Sequence, residues 1–312
     1  MTDTAWVEGV DRAQAIASTW DNVYVLRDDG RLLRWDARSA RGAEVEPTPE
    51  ARAVLSAGRD VCVVTTADRV LCRTDRLQIS HPSLDRDASI EEPAWKPIEV
   101  SDVVSLGGSE VRWVKSDGES GSGPRWYAVL RDGSVTSWET PFSEGQTPEV
   151  RRIPGIRKAT HVAVGRDHAC AVLEGGALRC WHHLLAVTST DDRGPLPTAI
   201  EPPSAIADAV GASGRCVERA RGPLTCLVML DIWQDALRRG RRAVLEEQPS
   251  EVLRVREVYG SECHVLRDGT VTCPHGAWSM PAEVIDVALG QGFACALTRD
   301  RGVRCKRSGP RR

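Results

Sequence analysis

The sequence predicts an all-β chain in which one short hairpin unit is repeated seven times. Ten cysteines form five pairs, and the two members of every pair lie ten positions apart. The first cysteine of a pair, or Tyr24 and Tyr127 in the two copies without cysteine, is the anchor for aligning the copies. The position eight after the anchor is apolar in all seven copies, and the position six after it is Gly in five. A period of about 40 to 50 residues is typical of β-propeller blades.

The unit is clearest around Cys170 and Cys180. If these cysteines lie opposite each other, Glu174-Gly175-Gly176 forms a three-residue turn in which Gly176 takes the left-handed conformation that such turns need. The second copy has Asp68 at the Gly position, and in the seventh the Gly is displaced by one to Gly302. An apolar run before each hairpin and an extended segment after it bring each copy to about four strands. The predicted blade hairpins span about 22–35, 60–73, 125–138, 168–181, 214–227, 261–274 and 293–306.

Two features favour a closed seven-bladed propeller over a β-sandwich. Strands such as 169–173 are apolar on both faces, as expected for blades stacked between other blades. Only seven residues follow Cys305, too few for a fourth strand, whereas Trp6-Val7-Glu8-Gly9-Val10 precedes the first copy. We therefore expect the N-terminal strand to join the last blade and close the ring, so that residues 1–312 form one propeller domain.

The cysteine pairs are expected to be cross-strand neighbours. In every copy both equivalent positions are cysteine or neither is, since Tyr24 is matched by Arg34 and Tyr127 by Ser137. Counting back from the turn places each pair at a non-hydrogen-bonded site, where side chains approach most closely. This concordance favours disulfides, whereas the missing signal peptide favours buried thiols, and both states stay open. The pairs are Cys62 and Cys72, Cys170 and Cys180, Cys216 and Cys226, Cys263 and Cys273, and Cys295 and Cys305.

The fourth copy also carries a family resemblance. The run from Gly165 to Leu173, followed by Gly176-Ala177-Leu178-Arg179-Cys180-Trp181, resembles the repeat of the regulator of chromosome condensation family. The usual continuation after Trp is absent, and the Arg-rich, Lys-poor composition fits a divergent bacterial-type member. The resemblance implies a seven-bladed propeller. It also implies guanine-nucleotide exchange as an alternative activity, because the founding member acts through a wedge-like insertion in one blade.

Composition excludes several other classes of function. The net charge of −3 provides no general attraction for nucleic acid, and no apolar run reaches the roughly 18 residues of a membrane helix. Zinc is disfavoured because no Cys-x-x-Cys occurs and the histidines near the pairs do not repeat with them. The sequence has no serine elbow, phosphate loop or metal triad. We expect no enzyme, no cofactor and no small-molecule substrate.

Candidate binding residues lie where the repeat is interrupted. The predicted loop Glu110 to Arg125 combines Arg112, Trp113 and Lys115 with a Gly-Ser-rich tip, and a loop held by a rigid scaffold suits partner binding. A basic segment in the fifth copy adds Trp233, Arg238, Arg239, Arg241 and Arg242. An ordinary exposed loop and a solvated charged face are the alternatives for the two segments.

These observations predict a non-enzymatic platform that presents rim loops to a protein partner, whose identity the sequence does not reveal. Nucleotide exchange on a small GTPase is one alternative. A secreted or surface-exposed structural or inhibitor protein is another. The missing signal peptide predicts a cytoplasmic protein, whereas oxidised cysteine pairs would place it outside the cytoplasm.

Overall fold

The computed structural model contains seven antiparallel sheets arranged as the blades of a propeller, which confirms the predicted fold class. It describes residues 5–6, 10–36, 43–75, 94–114, 120–139, 148–165, 168–182, 199–200, 206–227, 245–258, 261–273, 283–290 and 293–307. Across these ranges every regular element is a β-strand.

Each blade runs from an inner strand at the channel to an outer strand. Blade 1 contains β2 (Ala13–Ser18), β3 (Asn22–Arg27), β4 (Leu32–Asp36) and β5 (Glu44–Val45). Blade 2 contains β6 (Ala51–Ala57), β7 (Asp60–Thr65), β8 (Val70–Thr74) and β9 (Lys96–Ile98). Blade 3 contains β10 (Val103–Val114), β11 (Ser120–Leu130), β12 (Val135–Glu139) and β13 (Arg151–Arg152). Blade 4 contains β14 (Ala159–Val164), β15 (His168–Leu173), β16 (Leu178–His182) and β17 (Ala199–Ile200).

The remaining blades follow the same order. Blade 5 contains β18 (Ala209–Ser213), β19 (Cys216–Arg219), β20 (Thr225–Leu227) and β21 (Leu245–Glu247). In blade 6 the described residues form β22 (Val252–Val258), β23 (Ser261–Leu266) and β24 (Val271–Thr272). Blade 7 contains β25 (Val284–Gly290), β26 (Phe293–Thr298) and β27 (Val303–Arg307), with β1 (Ala5–Trp6) as its outer strand.

The ring closes as predicted. Strand β1 pairs antiparallel with β27, which places Ala5 opposite Cys305 and Trp6 opposite Arg304. The Ala13 amide of blade 1 also donates a 2.9 Å hydrogen bond to the Arg301 carbonyl of blade 7. The first and last blades are therefore joined by backbone hydrogen bonds, although no peptide bond links them directly.

The turn between the second and third strands joins each blade to the next. Six residues after the anchor, the backbone has a positive φ in all seven copies: Gly30, Asp68, Gly133, Gly176, Gly222, Gly269 and Arg301. The expected displacement to Gly302 is wrong, because Arg301 itself adopts the left-handed conformation with a φ of 64°. A Cβ on Gly176 would lie 2.6 Å from the Ala207 carbonyl oxygen, so this glycine also permits the close approach of blade 5.

The hydrophobic core consists of seven layers, each lying between two neighbouring blades. Both faces of a blade are therefore buried, which explains why strands such as β15 are apolar throughout. Aromatic side chains fill the layers around blades 3 and 4. Trp138 stacks on Trp126 with ring centroids 6.5 Å apart, and Trp181 meets Tyr127 edge-on at 5.2 Å.

Candidate functional site

A long hairpin in blade 3 extends beyond the other blades. The inner strand β10 has 12 residues, whereas the other six inner strands have five to seven. After an irregularity between Val103 and Ser105, its pairing with β11 is continuous from Ser105 opposite Val129 to Val114 opposite Ser120. We call the paired segments Ser109–Val114 and Ser120–Arg125 the arm. At about 3.3 Å per residue, the arm adds about 20 Å to the blade.

The expectation of an irregular loop from Glu110 to Arg125 is therefore wrong. The Gly-Ser-rich composition suggested a loop, but cross-strand pairing satisfies the backbone groups of small residues as well as those of large ones. The alternation of Glu110, Val111, Arg112 and Trp113 was the available signal for a strand.

The arm carries two of the predicted binding residues. Arg112 lies opposite Ser122, and Trp113 lies opposite Gly121. Lys115 lies outside the described residues, as do Trp233, Arg238, Arg239, Arg241 and Arg242. Arg112 and Trp113, the two predicted binding residues within the described ranges, therefore lie on one element.

The base of the arm borders the central channel. Inner strands from all seven blades surround a cavity of about 250 Å³, and its lining includes Ser109 and Glu110. The Glu110 carboxylate reaches across to blade 2, where its Oε2 lies 3.3 Å from the position that a Cβ would take on Gly58. The arm and the channel mouth thus form one continuous region.

A partly buried guanidinium in the channel wall joins three blades. Arg256 of blade 6 donates to both carboxylate oxygens of Asp286 in blade 7, at 2.8 and 2.7 Å, and to Ser213 Oγ in blade 5 at 3.0 Å. Burial acts to lower the pKa of Arg256, but the Asp286 charge and hydrogen bonds outweigh burial, so the pKa is raised. This cation connects blades 5, 6 and 7.

Blade 1 has a buried polar network where other blades have a cysteine pair. The Asp75 carboxylate accepts hydrogen bonds from Thr19 Oγ1, from Tyr24 Oη at 2.7 Å and from Asn22 Nδ2 at 2.8 Å. Burial is the main cause that raises the pKa of Tyr24 far above its usual value, and the Asp75 charge adds to it. In the sequence, the only sign of this site was that Tyr24 and Arg34 occupy the two positions that are cysteine in most other copies.

The same network continues through a second carboxylate. Glu46 Oε1 forms an ion pair with Arg34 Nε at 2.9 Å, and Glu46 Oε2 accepts from Arg73 and from the Trp95 indole at 2.8 Å each. These groups come from strands or connections of blades 1 and 2 and leave the carboxylate saturated with donors. The network therefore acts as a polar joint between the two blades.

The ten cysteines lie in pairs at disulfide-bonding distance. Their Cα atoms are 3.9 to 4.3 Å apart, the separation of a non-hydrogen-bonded pair. Nine of the ten are buried, and Cys273 is partly exposed. Among the residues that the structure describes, no cluster of three or more His, Cys, Asp or Glu side chains is arranged to hold a metal. No helix in the described ranges is long and apolar enough to span a membrane.

Comparison with known proteins agrees with this architecture. The model of the regulator of chromosome condensation (RCC1) repeat matches residues 159–181, which comprise β14, β15 and most of β16. The chain is thus a seven-bladed propeller in which the first three strands of blade 4 match the RCC1 repeat. No curated protein matches the chain by sequence.

Solved structures share the propeller fold of this chain at low sequence identity. Yeast RCC1 (Prp20), solved bound to Kap60, is 12% identical with a TM-score of 0.56, over 95% of this chain and 80% of that one. A second structure, Prp20p from Saccharomyces cerevisiae, is 11% identical with a TM-score of 0.55, over 93% and 81%. The CRINKLY WD40 ectodomain of the Arabidopsis thaliana receptor kinase ACR4 is 11% identical with a TM-score of 0.50, over 95% and 99%. At these identities the likeness concerns the fold alone.

Proposed function

We propose that this propeller is a non-enzymatic platform that binds a protein partner through the arm and the adjoining channel mouth. The observation that carries the proposal is the arm itself, a paired hairpin about 20 Å long on a seven-bladed scaffold. A hairpin held at its base by a rigid sheet loses little conformational entropy on binding. Trp and Arg, both present on the arm, are the residue types most enriched among binding hot spots.

The opposite face of the ring supports this assignment. Charged side chains on the turns of that face form ion pairs between blades, as where Asp28 of blade 1 pairs with Arg301 of blade 7 at 2.8 Å. Asp68 of blade 2 similarly pairs with Arg52 and with Arg131 of blade 3. These charges connect neighbouring blades, so we assign partner binding to the face that carries the arm.

The proposal is tested by affinity capture from extracts of the organism that makes the protein. The intact chain is compared with a variant in which residues 112–122 are replaced by Asn-Gly, a short turn that closes the shortened hairpin. We expect one stoichiometric protein partner with the intact chain and its loss with the shortened arm. Failure to capture any stoichiometric partner would contradict the platform role.

Point variants separate recognition from folding. Trp113→Ser and Arg112→Ala should each weaken binding by about tenfold or more, the range of hot-spot residues. Arg152→Ala is the matched control, because Arg152 is an exposed arginine of the same blade that lies on its outer strand. Equal losses with Arg112→Ala and Arg152→Ala would refute a specific role of the arm.

We further propose that the protein works in an oxidising compartment. Five cysteine pairs at disulfide distance support this location, because structural disulfides persist mainly outside the reducing cytosol. Thiol counting on protein trapped with an alkylating reagent in native cells should find no free thiol. Ten free thiols would place the protein in a reducing compartment.

Nucleotide exchange on a small GTPase is a second candidate, favoured by the projecting hairpin on a propeller. Binding to Gsp1p and histones is described for Prp20p. If this chain is an exchange factor, it should accelerate release of a fluorescent guanine nucleotide from a GTPase of its own organism, and the shortened arm should abolish the acceleration. No acceleration across a panel of GTPases would exclude this activity.

A further inference from the structure

The seven junctions between blades are not built alike. At six of them the carbonyl of the turn residue accepts a hydrogen bond from the first amide of the next inner strand. Examples are the bonds from the Ala159 amide to the Gly133 carbonyl at 2.9 Å and from the Ala209 amide to the Gly176 carbonyl at 3.1 Å. Between blades 5 and 6 the corresponding Val252 amide instead donates to Pro249, within its own connection, at 2.9 Å. This junction therefore lacks the backbone link that the other six share.

The glycine of the same turn also lies farther from its neighbour. A Cβ on Gly133, Gly176 or Gly269 would lie within 2.6 to 2.8 Å of the next blade's backbone. A Cβ on Gly222 of blade 5 would meet only the Arg219 guanidinium of its own blade, at 3.7 Å. The backbones of the inner strands β18 and β22 also make little contact, and the Arg256 side chain bridges them through its hydrogen bond to Ser213 Oγ at 3.0 Å. Blades 5 and 6 are therefore the least closely stacked.

Polar side chains replace apolar ones at this junction. The residue after the anchor is a buried Val or Ala in six copies, namely Val25, Val63, Ala128, Ala171, Val217 and Ala296. In blade 6 it is His264, whose side chain is 30% exposed. His264 Nε2 lies 2.7 Å from Glu262, and Glu262 also pairs with Arg215 of blade 5. Glu262 and His264 are partly exposed, and charged or polar groups with access to water hold blades together less strongly than a dry apolar layer does.

The closing junction is better joined, although no peptide bond crosses it. Blades 7 and 1 share the β1 and β27 pairing and the hydrogen bond from Ala13 to Arg301. Ser18 Oγ of blade 1 donates to the Leu289 carbonyl of blade 7 at 2.6 Å. The apolar layer between them includes Trp35 and Phe293, whose rings meet edge-on at 6.4 Å. The place where the ring is completed is therefore not its weakest place.

We propose that the ring opens first between blades 5 and 6, and that this opening makes Cys216–Cys226 the first of the four fully buried disulfides to become accessible to a reductant. Cys216 and Cys226 lie in the apolar layer of that junction, together with Leu224, Val252 and Val255. Both are buried, so a reductant reaches their sulfur atoms only when the blades separate.

The other disulfides report on other junctions. Cys62–Cys72 faces the junction of blades 2 and 3, and Cys170–Cys180 faces that of blades 4 and 5. Cys263 lies in the layer between blades 6 and 7, and Cys295–Cys305 faces the closing junction. The native chain thus contains its own set of matched probes, and the order of reduction reveals which junction opens first.

The experiment treats the oxidised protein with dithiothreitol at guanidinium concentrations below the unfolding transition. One dithiothreitol thiolate displaces a cysteine sulfur and forms a mixed disulfide, and its second thiol displaces the other. The bond is thereby reduced by two electrons to two thiols, and dithiothreitol leaves as its cyclic disulfide. Alkylation at timed intervals and mass spectrometry then give a rate for each disulfide, while circular dichroism monitors global unfolding.

We expect Cys216–Cys226 to be reduced about tenfold or more faster than Cys170–Cys180, the ratio for a junction that lacks one hydrogen bond and one buried aliphatic contact. Its rate should rise with guanidinium, because opening exposes surface. This dependence separates opening from direct attack at the partly exposed Cys273. Reduction of Cys295–Cys305 first, or of all five disulfides together with global unfolding, would overturn the proposal.

Two variants test the cause. His264→Val restores the side chain that the other copies have and should slow reduction of Cys216–Cys226 severalfold while leaving Cys170–Cys180 unchanged. The reciprocal change, Val217→His, places a histidine in the layer between blades 4 and 5, where Val217 packs near Cys170 and Cys180. It should accelerate reduction of Cys170–Cys180 alone. If His264→Val leaves the order and rates of reduction unchanged, the polar junction is not the cause of the opening.

Discussion

Two adjacent glycines separate the conformational role of glycine from its steric role. Gly175 and Gly176 both adopt the left-handed region, with φ values of 87° and 85°. A Cβ on Gly175 would have nothing within 4 Å, whereas a Cβ on Gly176 would lie 2.6 Å from the Ala207 oxygen and 2.9 Å from the Ala209 nitrogen. Alanine at either position costs about 1 to 2 kcal/mol for the left-handed backbone. Only at Gly176 must the backbone of blade 5 also move.

The required movement of the blade 5 backbone sets the difference in unfolding free energy between Gly176→Ala and Gly175→Ala. Overpacking against a fixed neighbour costs about 1 to 3 kcal/mol. Weakening the 3.1 Å hydrogen bond from the Ala209 amide to the Gly176 carbonyl adds about 1 kcal/mol. We therefore expect Gly176→Ala to lower the free energy of unfolding by about 2 to 4 kcal/mol more than Gly175→Ala does.

Urea unfolding monitored by circular dichroism measures the difference, with equal m-values as the condition for comparing midpoints. Gly30→Ala provides an intermediate case, because a Cβ there would lie 3.1 Å from the Glu50 Cβ. The expected order of destabilisation is Gly175, then Gly30, then Gly176. Equal losses at Gly175 and Gly30 would show that close blade approach contributes nothing, even if Gly176→Ala does not fold.

Three further predictions use the same unfolding assay. Arg301→Gly should raise the free energy of unfolding by about 0.5 to 1 kcal/mol, because Gly relieves a left-handed Arg at φ 64°; a loss instead would show that the exposed Arg301 ion pair outweighs this strain. Replacing Cys170 and Cys180 together by Ser should cost about 2 to 3 kcal/mol under oxidising conditions, and no loss would argue against a bond between them. Asp75→Asn should lower the free energy of unfolding by about 2 to 4 kcal/mol, because it removes the charge beside buried donors. The same change at an exposed Asp is the control and should not cause this loss.

A fifth prediction concerns acid. Ser134 is the main cause that lowers the pKa of Asp132 in the folded protein, and its amide donates a 2.8 Å hydrogen bond to Asp132 Oδ1. A folded pKa below the unfolded one gives stability that is present above about pH 4 and is lost as pH falls through the folded value. Asp132→Asn should therefore flatten the decline in stability below about pH 4, and an unchanged decline would contradict this role.

Much of the fold could be predicted because the repeat is local. A turn of three residues places Cys170 opposite Cys180 wherever the hairpin is located, so the cysteine spacing alone implied the strand pairing. The same argument predicted a strand around Trp6 for the last blade, because a four-stranded repeat without its last strand needs one from elsewhere.

The candidate site was less predictable. The Gly-Ser composition of the arm suggested a loop, whereas its strand register depends on the pairing between β10 and β11. The Asp75 network joins groups that lie up to 56 residues apart in the chain, and no local pattern connects them.

The sequence by itself determined the all-β class, the seven blades, the cysteine partners and the closure by β1, because each follows from short-range spacing and from the alternation of apolar residues. Only the tertiary structure decided how blades meet: that Arg301 adopts the turn conformation without a displaced glycine, that blade 1 has a polar joint, and that blades 5 and 6 lack the shared hydrogen bond. Those features depend on distances between residues that are far apart in the chain. Such distances are set when seven sheets pack around one axis, and the repeat pattern does not encode them.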